Sequence, residues 1–257
     1  MEVIIRKDAR AASDLAARII AAEIRAKPNI VLGLATGRTM DMLYQQLVGM
    51  RLDFAKCRTF NLDEYVGLAA TDPRSYRAYM NKALFNHVNI DLLNTHVPDG
   101  MAEDLEAECR RYEAKIEKCG GIDLQLLGMG RSGHIGFNEP LSALLSRTRV
   151  KALSPTTTAQ NADFFGGADK VPRRAITMGV GTIVDSRRCL LLATGESKAE
   201  IVAKAVEGPI TAMISATALQ LHPRCVVVVD EAAAAHLQEK DYYRWIFDNE
   251  PEWETFR

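Results

Sequence analysis

Two short stretches hold the side chains best suited to moving protons. His134 lies in the run Gly128-Met129-Gly130-Arg131-Ser132-Gly133-His134-Ile135-Gly136-Phe137-Asn138-Glu139-Pro140, with the Glu139 carboxyl five residues on. The glycines let the backbone turn tightly and approach a bound molecule, and an imidazole near a carboxyl can titrate close to neutral pH. In the second stretch, Phe60 to Leu68, the adjacent carboxyls of Asp63 and Glu64 close an apolar segment. A carboxylate at the end of a strand, partly desolvated by its surroundings, can take a proton from a substrate carbon. The alternative is a solvated pair that caps the next turn. In an extended backbone the two side chains point to opposite sides, so at most one faces a ligand.

A third stretch, Leu34-Ala35-Thr36-Gly37-Arg38-Thr39, follows an apolar run and precedes a helical pattern. Such a turn aims backbone N–H groups and the Thr36 and Thr39 hydroxyls at the positive end of a helix dipole, which suits a phosphate. An ordinary helix cap by Thr36 or Thr39 reads equally well. The spelling from Gly128 to Gly133 also satisfies GxGxxG, a dinucleotide-binding pattern. Against that, Gly133 is followed by His-Ile-Gly-Phe-Asn-Glu-Pro with no clear helical start, and no acidic residue closes a strand about 20 residues later. His87, His96, His222 and His236 stand apart from acidic or cysteine company, so no metal set is expected. Cys57, Cys109, Cys119, Cys189 and Cys225 are scattered and odd in number, which reads as a reducing cytoplasm with no disulfide framework.

These residues need a scaffold that brings distant loops together. Apolar, β-branched runs at Val3 to Ile5, Ile30 to Leu34, Arg58 to Leu62, Asp123 to Leu127, Ala175 to Met178, Cys189 to Ala193 and Cys225 to Val229 read as strands. Helical patterns cover Ala11 to Ala26, Met40 to Met50, Tyr76 to Phe85, Ala102 to Lys118 and Ser197 to Val206, with a short helix expected at Glu231 to His236. The expected fold is α/β, a mostly parallel twisted sheet flanked by helices on both faces in Rossmann-like fashion. Ligands in such sheets gather at the carboxyl ends of the strands. No repeat or linker divides the chain, so residues 1–257 are expected to form one domain, with the aromatic tail from Tyr242 to Trp253 docked upon it.

With 32 Lys and Arg against 33 Asp and Glu, the net charge of -1 offers no field for nucleic acid, and no apolar run is long enough to span a membrane. An anionic ligand must be held by local groups.

Taken in order, LGLATGRT, FNLDEYVGL, GRSGHIGFNEP, SRTRVKAL and ALQLHP resemble the glucosamine-6-phosphate deaminase family over almost the whole chain. The resemblance implies an amino-sugar-phosphate hydrolase that isomerises and deaminates its substrate without metal or organic cofactor, in N-acetylglucosamine catabolism. It implies that Asp63 moves a proton from the second sugar carbon to the first, that His134 opens the pyranose ring, and that Glu139 orients the imidazole. Lys198 and the Thr36–Thr39 loop match phosphate-holding groups, while Ser142, Arg149 and Lys151 match positions that bind an acetylated amino-sugar phosphate in allosteric members. The resemblance leaves a lone chain and a homo-oligomer both open.

Three departures from the family pattern matter. Ser132 stands where Asp or Asn is usual, so it can orient the imidazole but cannot add a negative charge. Asp163 stands where a phosphate-binding arginine is usual, a change costing on the order of several kcal/mol beside a dianion in a dry site. Arg38 replaces a glycine of the phosphate loop. Arg38 is therefore expected to supply the missing guanidinium, with Asp163 pairing from the side. The alternatives are a deaminase of a related amino sugar whose group distal to the amine is not an ordinary phosphate, lactone hydrolysis on the same scaffold, a non-catalytic sugar-phosphate sensor and a dinucleotide-dependent dehydrogenase.

Overall fold

The computed structural model describes residues 1–257. In chain order the elements are β1 (Glu2–Arg6), α1 (Ala9–Ala26), β2 (Val31–Leu34), α2 (Arg38–Gly49), β3 (Arg58–Asn61), β4 (Asp63–Tyr65), α3 (Tyr76–Ala83), β5 (Thr95–His96) and α4 (Leu105–Lys118). They continue with β6 (Leu124–Leu127), β7 (Arg149–Ala152), α5 (Pro155–Phe165), β8 (Arg174–Thr177), α6 (Val180–Val184), β9 (Cys189–Ala193), α7 (Ala199–Val206), β10 (Cys225–Asp230) and α8 (Lys240–Asn249). Local chemistry sets several starts. Asp8 accepts from the Ala11 N–H at the head of α1, Asp104 from Glu106 and Ala107 at the head of α4, and Ser154 from Thr157 before Pro155 of α5.

Seven strands form one sheet in the order β1-β10-β9-β6-β2-β3-β5, with every pairing parallel. All residues of β2, β6, β9 and β10 are buried. Because successive side chains face opposite sides, both faces of the sheet are covered, and the α/β expectation holds. From β2 the chain moves outward to β3 and β5 on one side. From β6 it moves outward to β9 and β10 on the other, so the direction reverses between β6 and β2.

The sequence reading placed Ala175 to Met178 with the other strands. It forms β8 instead, the middle of a separate antiparallel sheet in the order β4-β8-β7. Beneath this small sheet Tyr65, Phe137, Phe165, Val171 and Ala175 make a second apolar cluster. The expected helix at Glu231 to His236 is a run of turns. There Asp230 draws the Ala233 N–H to its carboxylate at 2.8 Å and also takes the Gly195 N–H at 3.0 Å, tying the segment to the loop after β9. The aromatic tail is docked: Trp253 is fully buried and its indole donates to Glu2 at 2.6 Å.

Candidate active site

Four neighbouring strands, β9, β6, β2 and β3, deliver their carboxyl ends to one place. The loops that leave them carry Thr194–Lys198, Gly128–His134, Thr36–Arg38 and Leu62–Asp63. Together they enclose a cavity of about 420 Å³. Thr36, Gly37, Arg38, Thr39, Asp63, His134 and Lys198, all singled out from sequence, line it. The reversal between β6 and β2 opens this crevice, as expected for a twisted parallel sheet.

Asp63 and Glu64 part company as the alternation of an extended backbone requires. Glu64 turns inward and accepts from the N–H groups of Tyr65 (2.9 Å), Tyr76 (3.0 Å) and Arg77 (3.0 Å), so the capping alternative describes Glu64 alone. Asp63 faces the cavity with only 6% of its surface exposed and no hydrogen bond from the protein to its carboxylate. Burial, with the neighbouring Glu64 charge adding to it, holds its pKa well above the usual carboxylate value. A carboxyl group in this setting can take up a proton more readily than one in water.

His134 is buried, with its Nδ1 2.7 Å from the Ser132 hydroxyl and 3.6 Å from Glu139 Oε2. The other Glu139 oxygen accepts from the Ser154 N–H at 3.0 Å, whereas Oε2 has no hydrogen-bond partner. The negative charge beside Nδ1 favours a proton on that nitrogen, with Ser132 accepting it, and leaves Nε2 bare. Burial pushes the imidazole pKa below its ordinary value and Lys198 adds to this, while Glu139 works the other way. His134 therefore reads as a neutral base.

Two glycines are sterically required here. A Cβ at Gly130 would lie 2.1 Å from His134 Nε2, and one at Gly136, where φ is +56°, would lie 2.9 Å from Thr177 Oγ1 and 3.4 Å from Asp63 Oδ2. Gly136 thus brings the histidine loop against Asp63.

At the other end of the cavity α2 begins at Arg38. Its cap residue Gly37 has φ +122° and makes no side-chain hydrogen bond, so neither Thr36 nor Thr39 acts as the cap. The first N–H groups of α2 are left for an anion. Lys198 reaches in to donate to the Met129 carbonyl at 2.6 Å, and burial lowers the pKa of its ammonium.

The Arg38 side chain is exposed and makes no ion pair or hydrogen bond within the chain. The expected pairing with Asp163 is not formed. Asp163 lies exposed on α5 and lines no part of the cavity, while Gln160 and Asn161 of the same helix do. A carboxylate in water, screened and turned away, does not impose the penalty foreseen for a dry site.

Ser142, Arg149 and Lys151 lie outside the cavity, behind the histidine loop. Arg149 donates to Asn138 Oδ1 at 2.8 Å, and the Ser142 N–H bonds the Glu139 carbonyl at 3.0 Å. Tyr76, Thr157, Gln160, Asn161 and Arg131 line the cavity without having been singled out. Only tertiary packing brings α3 and α5 to the site, and no local sequence signal marks their residues, whereas Arg131 belongs to the glycine-rich loop itself. No helix follows the Gly128–Pro140 loop, which removes the structural basis of the dinucleotide reading. No three His, Cys, Asp or Glu side chains converge, and no helix is long and apolar enough to cross a membrane.

Residues 6–227 match the family model described as glucosamine-6-phosphate isomerases/6-phosphogluconolactonase. The chain belongs to that family. Within it, a glucosamine-6-phosphate deaminase from Shewanella loihica is 51% identical over 96% of this chain and 93% of its own. One from Streptomyces coelicolor is 47% identical over 99% of both chains. The solved structure of a monomeric glucosamine-6-phosphate deaminase superposes with a TM-score of 0.90 at 47% identity, covering 92% of this chain and 100% of that one. The 6-phosphogluconolactonase of Trypanosoma brucei, at 20% identity over 92% of this chain and 98% of its own, shares the fold with a TM-score of 0.74.

Proposed function

We propose that this chain converts glucosamine 6-phosphate to fructose 6-phosphate and ammonia. The supporting observation is one cavity that presents a buried base without hydrogen bonds, Asp63, beside a neutral imidazole, His134, with Lys198 and Arg38 at its phosphate end. Nε2 of His134 takes the anomeric hydroxyl proton and returns it to the ring oxygen, which opens the ring. Asp63 then moves the C2 proton to C1 while a proton passes from the amine nitrogen to the C1 oxygen, leaving an imine at C2 and a hydroxyl on C1. Addition of water there expels ammonia and leaves the ketose, so the net reaction hydrolyses a carbon–nitrogen bond. Proton transfers and water suffice, and no metal or organic cofactor is called upon.

In this reading the whole chain is one catalytic domain, working in the reducing cytoplasm that its five free cysteines suit. The test is an ammonia-release assay with glucosamine 6-phosphate and its galacto epimer, each with and without phosphate. Loss of Arg38 (Arg38→Ala) is expected to raise KM for the phosphorylated sugar about tenfold with kcat nearly unchanged, as for a charge-assisted contact that serves binding alone. An unchanged KM removes Arg38 from the phosphate site.

A second reading concerns regulation through Ser142, Arg149 and Lys151. Ser142 Oγ and Arg149 Nη2 are buried without partners, which suits groups that wait for a ligand. A hyperbolic velocity curve indifferent to added N-acetylglucosamine 6-phosphate counts against it.

A further inference from the structure

The catalytic cavity does not end at its phosphate loop. A second cavity, of about 760 Å³, lies between α2, α3 and α5, and shares Gly37, Arg38, Tyr76, Gln160 and Asn161 with the first. Those shared residues include the very turn that receives the phosphate. A phosphate at the start of α2 therefore sits at the junction of two spaces, with the unpaired Arg38 guanidinium between them.

The outer space has the lining of a sugar or polyol site. The rings of Tyr76, Tyr79 and Phe164 line it together with the amides of Gln45 and Gln160, and Lys82 and Asp41 contribute opposite charges. Phe164 is 51% exposed, an apolar ring left open on this wall. Tyr79 is held in place by its hydroxyl, which donates to Asp41 Oδ1 at 2.6 Å and to the Gly37 carbonyl at 3.2 Å, so this aromatic wall is anchored to the phosphate turn itself. Rings set beside amides and a cation are the usual means of holding a hydroxylated group.

The phosphate end opens toward this outer space. Arg38, Arg131 and Lys198 line the catalytic cavity together with the start of α2, and of these three cations only Arg38 also lines the outer space. A phosphate monoester carries nearly two negative charges at neutral pH, whereas a diester carries one. A site with an open wall at this end has room for the diester as well as the monoester.

We propose that the enzyme also accepts glucosamine 6-phosphate whose phosphate is esterified to a second small hydroxylated group, with that group lodged in the outer cavity. The inference rests on the deaminase reading above. Nothing changes at the reacting carbons: the C2 proton moves to C1 and a nitrogen proton to the C1 oxygen, water then adds to the C2 imine, ammonia leaves, and the phosphodiester emerges intact on the ketose.

The probe is the glycerol phosphodiester of glucosamine 6-phosphate, compared with the monoester by ammonia release. Expected is a kcat/KM for the diester within about tenfold of the monoester. Gln45 is exposed on α2 and lines only the outer cavity, so Gln45→Trp fills that space without touching the catalytic groups. It is expected to lower diester kcat/KM by about tenfold or more while the monoester value, which also reports correct folding, stays within about twofold. Phe164→Ala, which removes an aromatic wall, should raise KM for the diester alone. Turnover of the monoester with an inert diester overturns this inference and leaves the proposed function standing. Diester turnover indifferent to Gln45→Trp overturns the assignment to the outer cavity. Absence of ammonia from the monoester itself overturns the deaminase reading, and this inference with it.

Discussion

A carboxyl buried without a hydrogen bond favours its neutral form, and at Asp63 that property links reactivity to stability. The unfolded carboxyl titrates near ~3.9, whereas the folded one holds its proton to higher pH. Between those two values the folded state binds more protons, so stability falls as pH rises through the window, and the cost is complete above the folded pKa. Asp63→Asn is thus expected to raise the melting temperature at pH 8, with the gain shrinking toward pH 4. Its kcat should fall by about 10² to 10⁴, the usual contribution of a positioned base. A variant that is inactive but no more stable at pH 8 contradicts the burial argument. His134 carries the opposite sign: burial lowers its pKa, so the neutral base persists below ~6.5 and activity fades as pH falls through the folded value. Ser132 touches Nδ1 without charge. Ser132→Asp should stabilise the imidazolium and move the acidic limb of the kcat profile to higher pH, and a limb that stays put or moves down argues against this contact setting the histidine's charge.

At the scale of elements, the adjacent carboxyls of β4 serve unlike ends. Glu64 joins β4 to the start of α3 by taking two of its N–H groups, and Ser75 takes a third from Ala78 at 3.0 Å. Glu64→Ala leaves those donors buried and unpaired and should cost about 2 to 3 kcal/mol in chemical denaturation, with kcat close to wild type in the folded enzyme. A loss of kcat without loss of stability reverses the assignment of roles between Glu64 and Asp63. The alternation of an extended chain already said that one of the two must turn away, but not which, because that depends on where α3 packs. The same limit explains what else was legible. Apolar runs announced β2, β6, β9 and β10, whose residues are buried on both faces, and the glycine-rich loop announced His134. Strands β4, β5 and β7 are too short or too polar to stand out from loops, as the segment Arg149–Ala152 with its half-exposed pattern shows. The pairing of Arg38 with Asp163 failed for a related reason: position along α5 does not reveal which side of that helix meets the cavity.

Across the whole molecule, chemistry and anchoring occupy different regions of the sheet. The active loops rise from β9, β6, β2 and β3, whereas the two ends of the chain meet beside the edge strand β1. There Trp253 is fully buried and donates to Glu2, Arg188 bridges Glu23 and Glu252 at 2.8 Å each, and Arg18 donates to the carbonyls of Thr255 and Phe256. This closure was foreseeable as a docked aromatic tail, but its partner was not, since Glu2 and Trp253 are 251 residues apart. Removing the indole empties a space that the surrounding core fills only in part and leaves Glu2 without its donor. Trp253→Ala should therefore cost about 3 to 5 kcal/mol. Since the tail lines neither the catalytic nor the outer cavity, kcat and KM measured well below the lowered melting temperature should match wild type. A folded Trp253→Ala enzyme with altered kcat shows instead that the docked end is coupled to the reacting loops, through β10 and the Asp230 carboxylate that holds the Gly195 turn.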